Sequence, residues 1–522
     1  MPESTSTKGT RSGVVLRLLD VVERAGNRLP HPLVLFFVIA ALVPIVSWIV
    51  AKTGWVLYHP TTGNEIAPVN LLAPDQIQRI FTEAVTNFTG FPPLGTVLVA
   101  MIGIGVAERS GLISSLLKMM VLNVPRSLIT ATIVFAGIMS SIATDAGYVV
   151  LVPLGAVLFA SMGRHPIAGL CAAFAGVSGG FSANLVLTSL DPLLAGFTQS
   201  AAQLYDPAYQ VNATANYYFM IASVFLITII GWLVTDKIVE PRLGKWDASK
   251  MLEPIETGLT EQTVTERRAT WVALSSFLII GALIAWTIVP EQGLLRAADG
   301  SLAPFYKSLV LIIAIAFIIP GIIYGAMTGS VRSPADVARM TGDTMATMGS
   351  YIVLAFVAAQ FVAYFNWSNL GLMFALSGAQ FLKGIGLGEV PLLVGILLLS
   401  STINLFIGSA SAKWALMAPV IVPMMMGLGY SPELAQATYR VGDSTTNVIT
   451  PLLPYFPLIV AFAQKYDPKL RMGTLISSML PYSIAFAIGW TILLLGWYFL
   501  GLPLGPDAPM QYQPVMTIEM PQ

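Results

Sequence analysis

Between Ser401 and Pro454 stand Asn404, Ser411, Lys413, Arg440, Asp443 and Asn447, side chains able to hold ions or polar solutes. The residues around them are apolar enough to sit in a bilayer. An ionised side chain at membrane depth costs about 2.5–3.5 kcal/mol on insertion scales, so it faces a partner, a cavity or a substrate. Asn404 and Gly408 are four residues apart, as are Asp443 and Asn447, so each pair shares a helical face. Together they offer a carboxylate, two amide oxygens and a backbone carbonyl beside a break. Hard oxygen donors of this kind suit a small hard cation. The structural alternative pairs Asp443 with Arg440 at i,i+3 and uses the asparagines to tie helices together.

Arg440 is the candidate anchor for an anionic substrate, because its planar donor fork matches a carboxylate. Trp414 could stack on an aromatic ring, and Ser411 could donate a hydrogen bond. Asp191, just before Pro192, could cap a helix or accept from a substrate amine. Lys413 is read as snorkelling toward the membrane surface. A second cation or proton site is expected at Asp145, Ser182 and Asn184, the alternative being that Asp145 caps the helix after it. The GVSGG stretch (176–180) fits a serine-hydrolase elbow. That chemistry needs a histidine base, and His31, His59 and His165 all lie at run ends or in loops. No Walker motif and no H-E-x-x-H are present, so neither an ATP-driven pump nor a metalloprotease is supported.

The elements that must position these groups are hydrophobic helices. Of 522 residues, 55% are hydrophobic and 10% charged, with mean hydropathy +0.75, against about 25% charged in soluble domains. The chain is therefore an all-α polytopic membrane protein. Its 27 basic and 27 acidic residues cancel, which gives no support to nucleic-acid binding. Cys171 stands alone in an apolar context and is read as a core residue. Residues 1–29 lack a signal peptide, so the first crossing is expected to target the chain. Within them Val14, Val15, Leu18, Leu19 and Val22 share one helical face, read as an interfacial helix or else a frayed tail. Five basic residues before the first crossing put this end in the cytoplasm.

Apolar runs fall at about 33–54, 91–110, 127–162, 166–196, 217–236, 270–290, 308–326, 343–366, 390–428, 434–463 and 474–500, most near the roughly 20 residues a spanning helix needs. Runs 127–162 and 390–428 carry polar tips, SSIATDAG (140–147) and GSASAK (408–413), and are read as re-entrant hairpins. Nine transmembrane helices and two hairpins satisfy the distribution of Lys and Arg among the loops, with 197–216 outside. The C-terminus then falls outside.

The halves match at an offset of about 260. Gly111-Leu112 recurs as Gly371-Leu372. An aromatic residue precedes proline by five positions at Tyr148 and Pro153 and again at Trp414 and Pro419. G-x-x-[ST]-x-N occurs at Gly179–Asn184 and Gly442–Asn447, and Leu-Gly closes each unit at 243–244 and 504–505. This divides the chain into an N-terminal segment (1–29), a transporter domain (30–505) and a tail (506–522). Repeat one spans about 87–244 and repeat two about 343–505. An odd number of crossings per unit makes this an inverted-topology repeat, with its site near the midplane where hairpin tips meet broken helices.

The segments NRLPHPLVLF, NFTGFPPLGTVL, GVSGGFSANL, TDKIVEPRLG, QFVAYFNWSN, GSASAKWALMAPVIVPM and YRVGDSTTNVITP are similar to those of the p-aminobenzoyl-glutamate transporter (AbgT) family, from about Leu29 to Gly505. The resemblance implies a homodimer in the bacterial inner membrane. It implies substrate contacts at Asp191, Ser411, Trp414, Arg440, Asp443 and Pro451, and a sodium site at Asn404, Gly408, Asp443 and Asn447. It also implies a secondary transporter, not an enzyme, for p-aminobenzoyl-glutamate, p-aminobenzoate or sulfonamides. The only cofactor expected is the coupling ion, sodium or a proton. An ion channel and an intramembrane hydrolase remain the alternatives from other classes.

Overall fold

The computed structural model describes residues 32–58, 65–122, 124–142, 147–246, 262–386 and 388–514. The N-terminal interfacial helix, and Asp145 of the expected second site, lie outside these residues. Backbone in hydrocarbon must satisfy its own hydrogen bonds, and this apolar chain does so with helices. The strands among the described residues are one two-residue antiparallel pair, β1 (Leu57–Tyr58) and β2 (Glu65–Ile66).

The chain opens with α1 (Pro32–Ala51), α2 (Pro74–Thr82) and α3 (Ala84–Thr89). Then come α4 (Pro92–Arg109), α5 (Leu112–Leu122), α6 (Ile129–Met139), α7 (Gly147–Ser161), α8 (Pro166–Gly179), α9 (Leu190–Ala202) and α10 (Tyr217–Leu243). Three helices follow: α11 (Val264–Ile288), α12 (Ala303–Thr328) and α13 (Pro334–Thr347). The last series is α14 (Gly349–Trp367), α15 (Leu370–Gly384), α16 (Glu389–Asn404), α17 (Ala410–Gly427), α18 (Pro432–Asn447), α19 (Phe456–Gln464) and α20 (Met472–Phe499). Two series of seven helices, α4 to α10 and α14 to α20, fall within the expected repeats of about 87–244 and 343–505. A left-handed residue starts the second helix in both series, Gly111 (φ 93°) and Asn369 (φ 60°).

Among the described residues, eight helices are long and apolar enough to cross a membrane: α1, α4, α10, α11, α12, α14, α17 and α20. Seven of them coincide with expected crossings, and α17 is the second arm of the expected hairpin at 390–428. The remaining two expected crossings, 166–196 and 434–463, are each broken in two. Helix α8 stops at Gly179 and α9 starts at Leu190, while α18 stops at Asn447 and α19 starts at Phe456. Each piece alone is shorter than the bilayer core requires. The tip at 408–413 falls at a break as expected, since α16 ends at Asn404 and α17 restarts at Ala410, whereas residues 143–146 of the other tip lie outside the described residues.

Small residues let the backbones approach. A Cβ on Gly321 of α12 would meet Ala107 Cα of α4 at 2.8 Å, and one on Gly155 of α7 would meet the Gly169 carbonyl oxygen of α8 at 2.6 Å. Burial separates core from rim. Only 11% of the α11 span is buried, with Trp271, Leu278 and Trp286 exposed, whereas 67% of α17 is buried. Helix α17 therefore belongs to the polar centre and α11 to the apolar surface. Arg164, after α7, binds Asp236 and Glu240 of α10. The end of α7 is thereby tied to the last turns of α10.

Candidate functional site

Helix α18 is the axis of the site. Its positions 433, 436, 440, 443 and 447 form one polar stripe at helical spacing, and all five are buried. Ser431 caps its start by accepting from Leu434 N, and Pro432 occupies the first turn, where no intrahelical N–H is needed. Helix α16 packs along it. Ser400 Oγ donates to the Tyr439 carbonyl at 3.0 Å and Ser401 Oγ to the Gly442 carbonyl at 2.9 Å.

Two buried ion pairs hang on this axis. Arg440 Nη1 donates to Asp191 Oδ1 at 2.8 Å, with both side chains almost wholly enclosed. The other carboxylate oxygen of Asp191 accepts from Thr188 N at 2.7 Å and Thr188 Oγ1 at 3.0 Å, at the start of α9. Asp191 thus binds the turn just before α9 and pairs with Arg440 of α18. The second pair is Lys413 Nζ with Asp443 Oδ1, both sealed from solvent. Lys413 also donates to Asn404 Oδ1. Its side chain reaches inward, correcting the snorkelling expectation: both oxygens lie inside the protein, so the ammonium gains more there than at the rim. Asp443 is likewise not paired with Arg440, although three residues separate them.

Of the four expected cation ligands, Asn404, Asp443 and Asn447 come together. Asn404 Nδ2 donates to the Asp443 carbonyl (2.6 Å), Thr446 Oγ1 (2.8 Å) and Asn447 Oδ1 (2.8 Å). Gly408 lies in the 405–409 break against the 448–455 break, where a Cβ would meet the Leu452 carbonyl oxygen at 2.6 Å. Pro451 stands in that second break. A carboxylate with amide and backbone oxygens does fit a hard cation. The cation that Asp443 Oδ1 and Asn404 Oδ1 face is the Lys413 ammonium.

Trp414 stacks on Tyr439, ring centroids 4.5 Å apart, and donates through Nε1 to Thr198 Oγ1 at 2.8 Å. Thr198 in turn donates to Gln436 Oε1 at 2.6 Å, and Gln436 Nε2 to Asn216 Oδ1 at 2.8 Å. Tyr209 OH donates to the buried Glu433 carboxylate at 3.0 Å. This network ties α9, α17 and α18 together at the end of the 197–216 segment. Ser411 Oγ lies 3.2 Å from Ser409 Oγ. Thr198, Gln436, Tyr439 and Glu433 were not expected from sequence. The polar stripe on α18 was the signal that could have found the two on that stripe, Glu433 and Gln436, since an otherwise apolar chain repeats it every three to four residues.

The halves meet at their interruptions. Helix α8 ends in a π-helical turn, Ala175–Gly179, and Asn447 Nδ2 donates to the Ser178 carbonyl at 3.3 Å. Tyr148 of α7 stacks on Tyr455, with centroids 4.2 Å apart. The recurring G-x-x-[ST]-x-N motif behaves differently in each half, helical at 442–447 and unwound at 180–184. Paired glycines 179 and 180 lower helix propensity where the first copy breaks. Of the second expected site, Ser182 and Asn184 are buried, and Asn184 Nδ2 donates to Ser141 Oγ at 2.6 Å. His165 stands at the start of α8 with its Nδ1 accepting from Ile167 N, a full helix length from Ser178.

Comparison with known proteins agrees with these features. The model of the AbgT putative transporter family matches residues 17–512. The chain is 38% identical over 509 residues to a p-aminobenzoyl-glutamate transport protein of Escherichia coli (strain K12), covering 97% of this chain and 99% of that one. It superposes on the Alcanivorax borkumensis YdaH transporter, described as having an unusual topology, with TM-score 0.86 and 45% identity over 91% of this chain and 100% of that one. It superposes on Neisseria gonorrhoeae MtrF, described within a class of antimetabolite efflux pumps, with TM-score 0.90 and 49% identity over 94% of this chain and 100% of that one.

Proposed function

Because the chain belongs to the AbgT family of transporters, as a multi-pass membrane protein, we propose that it is a secondary active carrier of the bacterial inner membrane for p-aminobenzoyl-glutamate and related aromatic amine acids. The observation that carries this reading is the enclosed Arg440–Asp191 pair beside the Trp414–Tyr439 stack. Arg440 Nε has no partner in its buried setting, which leaves part of its donor fork for an incoming acid. Asp191 would accept from the substrate's aryl amine, and the aromatic pair supplies a wall for its ring. Ser411 and Pro451, at the two breaks, complete the proposed contacts.

In this reading sodium or a proton is the coupling ion, and Asn404, Gly408, Asp443 and Asn447 would hold sodium. Trp414, Arg440 and Asp443 are all sealed, so loading requires α17 and α18 to part from α9. The inverted repeat of α4–α10 and α14–α20 supports such movement, because each half offers the conformation the other must adopt. Each broken pair, α8 with α9 and α18 with α19, would cross the membrane once, restoring nine crossings, with α6–α7 and α16–α17 as hairpins. Nine crossings with a cytoplasmic N-terminus place the C-terminus outside. The exposed apolar surface of α11 suits lipid or the second copy of a homodimer. Asp145, Ser182 and Asn184 are kept as a second cation or proton site, which an Asp145→Asn variant with unaltered ion dependence would remove.

A second reading, export of sulfonamides and p-aminobenzoate, is favoured by the 49% identity to MtrF, higher than the 38% to the E. coli protein. Both readings use the same site, since these ligands share an aryl amine and an acidic group. Uptake and efflux of labelled p-aminobenzoyl-glutamate and of a sulfonamide, in proteoliposomes under imposed sodium and proton gradients, decides between them. Saturable flux that collapses with one gradient is expected. Flux that neither saturates nor needs a gradient would mean a channel.

A further inference from the structure

We propose that the Lys413 ammonium is a tethered cation that competes with the coupling ion for Asp443 and Asn404, so that arrival of sodium releases the ammonium toward the substrate; this rests on the cation-site reading above. Lys413 projects from the first turn of α17, just after the chain restarts at Ala410, and no part of it is exposed. Its partners are the last residue of α16 and Asp443 in the fourth turn of α18, so one side chain links all three helices.

The cluster holds more acceptors than Lys413 and its neighbours use. Asp443 Oδ1 takes Lys413 and Tyr439 OH, the latter at 3.2 Å, yet Asp443 Oδ2 is buried without a partner. A lysine present only to neutralise Asp443 would not also require the Asn404 amide oxygen, which shares its ammonium with that carboxylate. With Lys413 in place the group is neutral. Adding sodium to it would leave a net buried charge, whose desolvation costs several kcal/mol. Ammonium and sodium therefore exclude one another on this carboxylate.

Exclusion creates coupling. With sodium bound, Lys413 loses Asp443 and must find another anion, which the arriving acid of the substrate would supply. Sodium would then strengthen substrate binding, and by linkage substrate would strengthen sodium binding by the same factor.

The test is equilibrium binding of labelled sodium to purified wild type, Lys413→Met and the double variant Lys413→Met/Asp443→Asn, with and without p-aminobenzoyl-glutamate. Melting temperature in sodium against choline chloride is measured alongside. Wild type is expected to bind sodium weakly alone and on the order of tenfold more tightly with substrate. Lys413→Met is expected to bind sodium tightly without substrate, to lose the response to substrate, and to gain a sodium-dependent rise in melting temperature. The double variant should bind none. Lys413→Gln, which keeps a donor at the oxygens, replaces the Met variant if that one does not fold. Unchanged sodium affinity in Lys413→Met with a silent double variant would overturn the exchange alone. Undiminished binding in the double variant would overturn the cation-site reading and the exchange with it.

Discussion

Arg440 and Asp191 are removed from water together, so the loss of one is felt by the other. Taking away one member of a buried pair strands a charge and costs about 3–5 kcal/mol, whereas replacing both by apolar groups is often close to neutral. Arg440→Leu and Asp191→Leu are each expected to lower the melting temperature more than the double variant does. Transport should be abolished in all three; full transport by an Arg440 variant would end its role as the acid anchor. Trp414→Phe keeps the stack on Tyr439 but loses the bond to Thr198, a change worth about 1 kcal/mol. A modest loss of stability and a weaker substrate affinity are expected, read by thermal unfolding and by titration of uptake. The residues of this site were legible because charge inside a hydrophobic run is conspicuous. Their partners were not. Lys413 and Asp191 find their opposite charges across separate helices, and local spacing favoured the Asp443–Arg440 pairing that the structure lacks.

At the scale of elements, the breaks were legible and their lengths were not. Glycine and small polar residues marked the tip at 408–413 in advance. The interruptions at 180–189 and 448–455 were hidden inside runs whose overall hydropathy suits a crossing, because apolar residues such as Leu185, Val186, Leu452 and Leu453 continue through them. A one-dimensional hydropathy run cannot report where the helix stops. Close approach at these breaks has a direct consequence. A Cβ at Gly408 would lie 2.6 Å from the Leu452 carbonyl oxygen, pushing apart two segments that must meet if both border one site. Overpacking of this kind costs typically 1–3 kcal/mol. Gly408→Val is therefore expected to fold with reduced stability and to lose cation dependence of transport, while Gly395→Ala on α16, which meets nothing within 4 Å, should behave as wild type. Equal damage from both would show that the effect is not local to the breaks.

For the whole molecule, the two helical series are alike in order but not in contact. Helix α9 packs along α17, joined to it by the Trp414–Thr198 hydrogen bond and to α18 by the Thr198–Gln436 hydrogen bond. The corresponding pieces of the other series, α19 against α7 and α8, meet through rings, Tyr148 on Tyr455 and Phe174 on Phe456, the latter 5.8 Å apart. On the proposed carrier reading, these two seams, one hydrogen-bonded and sealed and the other aromatic, belong to one of two interchangeable states. A ligand moves such an equilibrium only through different affinities for the two states. The single native cysteine, Cys171, is buried, so introduced cysteines report cleanly. Without substrate, Thr198→Cys should be protected from a membrane-impermeant maleimide applied outside, and half-buried Tyr455→Cys should react from the inner face. Under a substrate gradient that drives turnover, the first rate should rise about tenfold as the second falls, given a shift of about 1.4 kcal/mol between the two states. If both rates rise or fall together, the seams do not alternate, and repetition of the helical order serves the fold rather than the transport cycle.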